Sequence, residues 1–562
     1  MRPEELGQYY ESILDKEARK EGGIYYTPEY IVDYIVTNTV GKLLEGKTPK
    51  EAACIKIVDP ACGGGVFLLG AYQYLLDWHE KHIGKLTLAN RQKILVDNIF
   101  GVDIDPLAVE ITKYCLSMMC TEGKECFLDL TKNVCCGNSL IGTDIYLVPG
   151  GADFSEKEQR KINAFDWHRE FANIIKQGGF DLVIGNPPYG GALMNVEREY
   201  LTRRFNVGTT DTAALFLLQA RKLLHSDGRN GFIIPKAFTY ASNWQKVREQ
   251  LLPDIENIAD CGKVWSIVKL EMSICILQRN NDKKTFIYAK RNNENIIEKI
   301  GVQRRLLCTE FGLILNGLTG QEIEIGLKIK RNSKVLNDFV ENRRGAMLQS
   351  EVSNKGNLSV LGGKQINRYY VETDKVKGKI FTKYVTDEKA WIVNNSVLVQ
   401  NIVAHIVHPY PHILITACPS SEIEIPSKFI LLDTINQLTM KKQYEPRFVS
   451  ALLNSRLLSW YVYRFVFAHA IRTMHFDSTT TAKIPFPDID LSKKENKAKH
   501  DKIVKLVDRM LVLRKKERVN LEIVSHKVYH RQVVAIDAEI DRLVYELYGL
   551  TADEIAIIEG EG

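Results

Sequence analysis

Between about residues 22 and 290, short apolar runs alternate with amphipathic stretches, the pattern of a mainly parallel sheet with helices on both faces. The strand candidates are 55–59, 99–103, 133–136, 181–184, 231–234 and 273–278. Between the first two, Phe67, Leu68, Ala71, Tyr74 and Leu75 recur at helical spacing. A doubly wound α/β domain follows as the expectation. With 562 residues, of which 45% are hydrophobic, the chain can bury the cores of two or more domains.

Past about residue 290 the alternation breaks down. Gly and Asn clusters at 342–345, 354–356 and 362–363 separate short β-branched runs at 391–400 and 412–416, as in a β-rich domain with long loops. Segment 320–330 is ambiguous, because Ile323, Ile325, Leu327 and Ile329 repeat every second residue within a Glu/Lys composition that also suits a helix. After Pro485-Phe486-Pro487 the chain reads as helical, with Ile503, Leu506, Val507, Met510 and Leu513 on one face and Ile536, Ile540, Leu543, Val544 and Leu547 on another. Gly549 suits a helix C-terminus, and Thr551 with Glu554 has capping-box spacing. The expected organisation is an N-terminal helical extension (1–21), a catalytic domain (22–300), a linker (301–324), a mixed α+β domain (325–490) and a C-terminal helical segment (491–562).

A formal charge of +6, from 75 basic and 69 acidic residues, leaves any polyanion-binding surface local. Eleven cysteines without a CxxC pair suit reduced thiols and give no metal-ligand spacing, so no metal is expected. No stretch approaches the roughly 18 apolar residues of a membrane helix, so a cytoplasmic protein is expected.

Chemistry concentrates at the ends of the candidate strands. Ile57-Val58-Asp59-Pro60-Ala61-Cys62-Gly63-Gly64-Gly65 is a strand ending in an acid, then a glycine run that exposes backbone N–H groups. About forty residues later Gly101-Val102-Asp103-Ile104-Asp105 sets an acid at the next strand end, where a carboxylate can accept both protons of a ribose diol. Together they point to an adenosine-containing cofactor. Asn138 and Ser139 follow the third strand, within reach of an adenine. The fourth ends in Asn186-Pro187-Pro188-Tyr189. Two prolines fix φ and remove two donors, so the Asn186 amide oxygen and the Pro187 carbonyl form a stiff pair of acceptors for an NH2 group. Tyr189 adds an aromatic face for a planar base.

These segments resemble the γ-class, TaqI-like N6-adenine DNA methyltransferases, in the same order and preceded by a Tyr-Thr-Pro segment at Gly23-Ile24-Tyr25-Tyr26-Thr27-Pro28. The resemblance covers about residues 20–290 and implies a Rossmann-like class I methyltransferase sheet followed by a DNA target-recognition domain. It implies S-adenosylmethionine as cofactor, with Thr27, Asp59, Ala61 and Gly63 at its methionine part, Asp103 at its ribose, and Pro28, Pro60, Ile104 and Ser139 alongside. Asn138 stands where the family usually has an Asp accepting from the cofactor's adenine amine, and Gly64 where it often has Ser. Trp244, six residues after Phe238, is the candidate for the second aromatic on a flipped-out adenine, with Phe238 and Tyr240 as rivals.

The implied partner is double-stranded DNA, bound in the cleft between domains by a monomeric bacterial or archaeal enzyme, with any restriction endonuclease encoded separately. Arg343, Arg344, Lys364, Arg368, Arg472 and the stretch 375–383 are candidate phosphate or base contacts. About twenty residues precede the Tyr-Thr-Pro segment, too few for a fused nuclease, so methylation without cutting is expected. Two alternatives are a methyltransferase acting on a protein glutamine amide, which is equally a planar NH2 group, and a DNA-recognition subunit without catalysis.

Overall fold

The computed structural model describes residues 27–122, 128–147, 154–265, 268, 270–315, 317–441, 444–471, 474–519 and 523–560. The expected N-terminal extension, the residues before Thr27, Cys126 and Arg472 lie outside them. The chain divides into two compact units, Met1–Gly317 and Leu318–Gly562. Among the described residues, no helix is long and apolar enough to cross a membrane, and no group of three or more His, Cys, Asp or Glu could hold a metal.

Unit 1 is built on a nine-stranded sheet. Its elements run α1 (Glu29–Leu44), β1 (Ile57–Asp59), α2 (Val66–Ile83), α3 (Leu88–Asn98), β2 (Ile99–Asp103), α4 (Pro106–Cys120), β3 (Val134–Cys136), β4 (Phe180–Gly185), α5 (Asn195–Phe205), α6 (Thr212–Leu223), β5 (Leu224–Pro235), β6 (Ile255–Gly262), β7 (Met272–Gln278), β8 (Thr285–Arg291) and β9 (Ile297–Arg304). The strand order is β3-β2-β1-β4-β5-β7-β6-β8-β9. The first five strands are parallel, and β7 runs antiparallel between β5 and β6. All six candidate strands are found, five with ends within two residues and β5 starting seven residues earlier than 231, whereas β6, β8 and β9 are additional. Chain direction across the sheet reverses beside β1, since β2 and β3 extend one way and β4 and β5 the other. Such a reversal leaves a crevice outside the carboxyl ends of the central strands.

Local chemistry sets the helix starts that face this crevice. Asp105 caps α4 by accepting from the Leu107 N–H, with Pro106 in the first turn, where its missing donor costs nothing. Gly65, at φ +84°, turns the loop into α2, and a Cβ there would lie 2.9 Å from Thr112 Oγ1.

Segment 301–324, expected as a linker, instead contains the end of β9, a helix at Arg305–Phe311 and the first turn of a further helix. That helix opens unit 2, whose elements include α7 (Gly320–Arg331), β10 (Val340–Arg344), β11 (Leu358–Leu361), β12 (Gly378–Ile380), β13 (Ser396–Gln400), β14 (Ala417–Pro419), β15 (Phe429–Leu431), β16 (Ile435–Met440), α8 (Pro446–Asn454), α9 (Arg456–Phe465), α10 (Lys494–Val519), α11 (Ile523–Leu547) and α12 (Ala552–Glu559). Strands β10, β16, β13 and β14 form an antiparallel sheet, and β12, β11 and β15 a smaller mixed one in which β11 pairs antiparallel with β12 and parallel with β15. The capping box of Thr551 and Glu554 is present at the start of α12.

The basic candidates of unit 2 differ in what they touch. Arg368 is an internal strut, donating to the Asn454 carbonyl and to Asp537 Oδ1, both at 2.8 Å, so it ties the β-part to α8 and α11. Arg343 and Arg344 are paired with Glu341 and Asp433. Lys377 and Lys379 flank Gly378 on the exposed side of β12, whose inward residue Ile380 is fully buried.

Candidate active site

The carboxyl ends of β1, β2, β3 and β4 converge on one cavity of about 310 Å³. Asp59, ending β1, is buried, and its Oδ1 accepts from the Ala61 N–H at 3.0 Å. Asp103, ending β2, accepts from the Gly63 N–H at 2.8 Å and from the Asp105 N–H at 2.9 Å, one on each oxygen. Ser139, after β3, donates its hydroxyl to the Pro60 carbonyl at 2.5 Å. Asn138 Oδ1 accepts from the Leu140 N–H at 3.1 Å. At the end of β4, Gly185 has φ +155°, and a Cβ there would stand 2.6 Å from Asp59 Oδ1. Only glycine lets the end of β4 pass so close to the Asp59 carboxylate.

Asn186 donates from Nδ2 to Thr27 Oγ1 at 3.1 Å, which joins the start of the described chain to the end of β4. The Pro188 carbonyl accepts from Thr212 Oγ1 at 2.5 Å, so the first residue of α6 fixes the Pro-Pro segment.

Of the residues singled out in the sequence, Thr27, Asp59, Pro60, Ala61, Gly63, Asp103, Ile104, Asn138, Ser139, Asn186 and Pro188 line the cavity. Pro28 precedes α1, and with Pro187 and Tyr189 it stands outside the cavity wall. Apolar residues, among them Val66 and Phe67 after the glycine run and Leu193 and Phe216 outside any motif, complete the lining, with Glu197 and Lys161. Val66, Phe67 and Phe216 carry only the helical periodicity that every core helix shares, and Leu193 lies in the loop before α5.

Trp244 requires a correction. It is 1% exposed and packs edge-on against Phe238, with ring centroids 6.1 Å apart, so it is a core residue outside this cavity. The aromatic that comes to Tyr189 is half-buried Trp265, in the connection between β6 and β7, with ring centroids 6.4 Å apart and planes 37° from parallel. No motif spacing in the sequence marks it.

Electrostatics favour a cation here. Burial raises the Asp59 carboxyl well above its ordinary range, against the Ala61 hydrogen bond, and the neighbouring Asp103 adds to the rise. Asp103 is pushed up to about 6, again by burial first, against the N–H groups of Asp105 and Gly63. Among the described residues the hydrogen-bond donors to both acids are backbone N–H groups, so a positively charged ligand would relieve two desolvated carboxylates.

Residues 97–264 match the Eco57I restriction-modification methylase family, a span holding Asp103, Asn138 and Asn186 through Tyr189. Unit 1 carries an Eco57I-type restriction-modification methylase domain. Among its relatives is a putative type II restriction enzyme and methyltransferase of Methanocaldococcus jannaschii, 25% identical over 69% of this chain and 48% of the relative. The type II restriction enzyme and methyltransferase Eco57I of Escherichia coli is 27% identical over 45% of this chain and 27% of its own length. The type II methyltransferase VspI of a Vibrio species is 24% identical over 53% and 58%. The chain thus spans between about a quarter and three-fifths of these relatives. In fold, the whole chain is similar to the type IIL restriction-modification enzyme MmeI solved with DNA, with a TM-score of 0.63, 14% identity and 81% of that chain covered. A DrdV–DNA complex matches 91% of this chain and 59% of its own at a TM-score of 0.52 and 14% identity.

Proposed function

We propose that the methylase domain transfers the methyl group of S-adenosylmethionine to N6 of an adenine rotated out of duplex DNA, with unit 2 as the target-recognition part. The observation that carries this reading is the placement of Asn186 in the wall of the cavity that also holds Asp59 and Asp103. An acceptor for an amine and two desolvated acids suited to a cationic nucleoside thus share one space. The strand order, with its reversal beside β1, supports a Rossmann-like class I methyltransferase sheet.

The cavity fits the cofactor by its donor set. Asp103 suits a ribose diol, Asp59 and the Ala61–Gly63 backbone suit an amino-acid moiety, and the apolar lining suits an adenine. Bound there, S-adenosylmethionine supplies an electrophilic methyl group on a sulfonium centre. The chain's own residues then act on the acceptor. With Nδ2 turned to Thr27, the Asn186 amide presents Oδ1 on its other side, as an acceptor for N6–H. The Pro187 carbonyl is the second acceptor. Two such bonds favour the electron-rich, more tetrahedral nitrogen needed for in-line attack, and positioning supplies much of the acceleration. Tyr189 and Trp265 offer the aromatic faces for the base, with ring centroids 6.4 Å apart and planes 37° from parallel. In unit 2, Lys377 and Lys379 are the candidate phosphate contacts.

The reading assigns methylation and no strand cleavage. With tritiated cofactor, label is expected in unmethylated duplex DNA as N6-methyladenine, and plasmid incubated with Mg2+ is expected to stay supercoiled. Label confined to protein would overturn the reading.

The acids add a pH dependence. Ionised Asp103 accepts ribose hydroxyls on both oxygens, whereas the protonated form loses an acceptor. Cofactor affinity is therefore expected to rise with pH through about 6 and then level off. Folding stability runs the other way. With a folded value above the unfolded one, the ionised carboxyl disfavours the ligand-free fold, so the stability present at low pH declines as pH rises through about 6. Calorimetric titration with S-adenosylhomocysteine and melting curves from pH 5 to 8 would read both trends, and a pH-independent affinity would exclude Asp103 as the ribose acceptor.

A further inference from the structure

The far side of the sheet end carries an ionic cluster that the reaction outlined above does not use. Lys236, immediately after β5, is 3% exposed, and its Nζ lies 2.7 Å from Asp260 Oδ2 and 3.3 Å from Glu271 Oε1. Asp260 and Glu271 are 8% and 9% exposed. The Lys236 N–H also donates to the Glu271 carbonyl at 2.8 Å. Burial disfavours the ammonium, but the two acids outweigh it and hold Lys236 charged.

A buried triad of this kind is costly to desolvate, and apolar residues of equal volume often stabilise a core as well or better. What it gives is one geometry. Asp260 stands near the end of β6 and Glu271 just before β7, so a single ammonium joins both stems of the connection that contains Trp265. The other oxygen of Asp260 accepts from the Gly262 N–H at 3.0 Å, where β6 shifts register against β7 and Gly262 adopts φ +56°. The backbone leaves the sheet toward Trp265 from that bulge.

We propose that Lys236 is a positioning residue for the target base: by clamping Asp260 and Glu271, it keeps Trp265 at stacking distance from Tyr189. This rests on the base-holding reading given above. A triad that served stability alone would affect folding without any link to Trp265.

The test is a mutant cycle between the triad and Trp265. Lys236→Met is combined with Asp260→Asn and Glu271→Gln, so that no buried carboxylate loses its counter-charge. Trp265→Ala is expected to lower kcat for DNA methylation by about tenfold or more. The triad variant is expected to lower it comparably with S-adenosylhomocysteine affinity unchanged, and to add less than about twofold in the Trp265→Ala background. 2-Aminopurine at the methylated position is expected to fluoresce equally in the triad and Trp265→Ala complexes, and more brightly than with wild type. Multiplying effects, or an unchanged kcat, would overturn the role of Lys236. Should the triple variant fail to fold, Lys236→Arg, which keeps the charge but alters its reach, enters the same cycle and is judged by the same non-additivity. Failure of the wild-type protein to methylate adenine would instead remove the base-holding reading itself.

Discussion

Asn186→Ala is expected to slow methyl transfer by about 10²–10³-fold under single-turnover conditions while duplex DNA binding survives. The magnitude is that of removing one preorganised polar group aimed at charge that develops in a transition state. Asn186 is placed for this by Gly185, whose conformation brings β4 against Asp59, and by Thr27, which takes one side of its amide. The loss is expected to fall on kcat more than on cofactor affinity. Unchanged transfer in this variant would remove Asn186 from the mechanism and leave the cavity as a cofactor site alone.

The second large effect separates two tryptophans. Trp244→Ala is expected to destabilise the protein by about 3–5 kcal/mol, because it would leave a large cavity beside Phe238 in a closed core. Trp265→Ala, at a half-buried position, is expected to cost less than about 1 kcal/mol in stability. It removes a stacking surface worth about 1–3 kcal/mol per base, so kcat/KM for DNA should fall roughly 10–100-fold. Denaturant unfolding and steady-state kinetics on the two variants separate these outcomes. A stable Trp244→Ala protein with crippled kinetics would return the stacking role to Trp244.

Much of the cavity was legible because its signals are local. Asp59 and Asp103 each end an apolar run and precede a helix start, so chain order alone sets them on neighbouring strand ends. Asn186-Pro187-Pro188-Tyr189 needs no partner for its stiffness, since both prolines restrict their own φ. Strand β6 was less legible, because its sequence Ile-Glu-Asn-Ile-Ala-Asp-Cys-Gly places polar residues where a buried strand is usually apolar. Those residues find distant partners: Asn257 donates to the Tyr34 hydroxyl at 2.7 Å, and Asp260 meets Lys236. The Ile-rich segment 320–330 forms helix α7 despite its period of two, because Thr319 and Glu322 cap it reciprocally and both helix faces are buried, with Gly326 against the Phe465 ring.

By itself the sequence determined an α/β domain with two acids and a rigid Asn-Pro-Pro-Tyr turn at strand ends, because apolar periodicity, proline and glycine act within a few residues of themselves. Only the tertiary structure decided which aromatic meets Tyr189. That choice depends on β7 lying between β5 and β6 and on the stems that Lys236 joins. It also moved Arg368 from a candidate DNA contact to an internal strut, since its partner Asp537 is 169 residues away. Pairings over such separations are set by strand order and helix packing, which local spacing does not record.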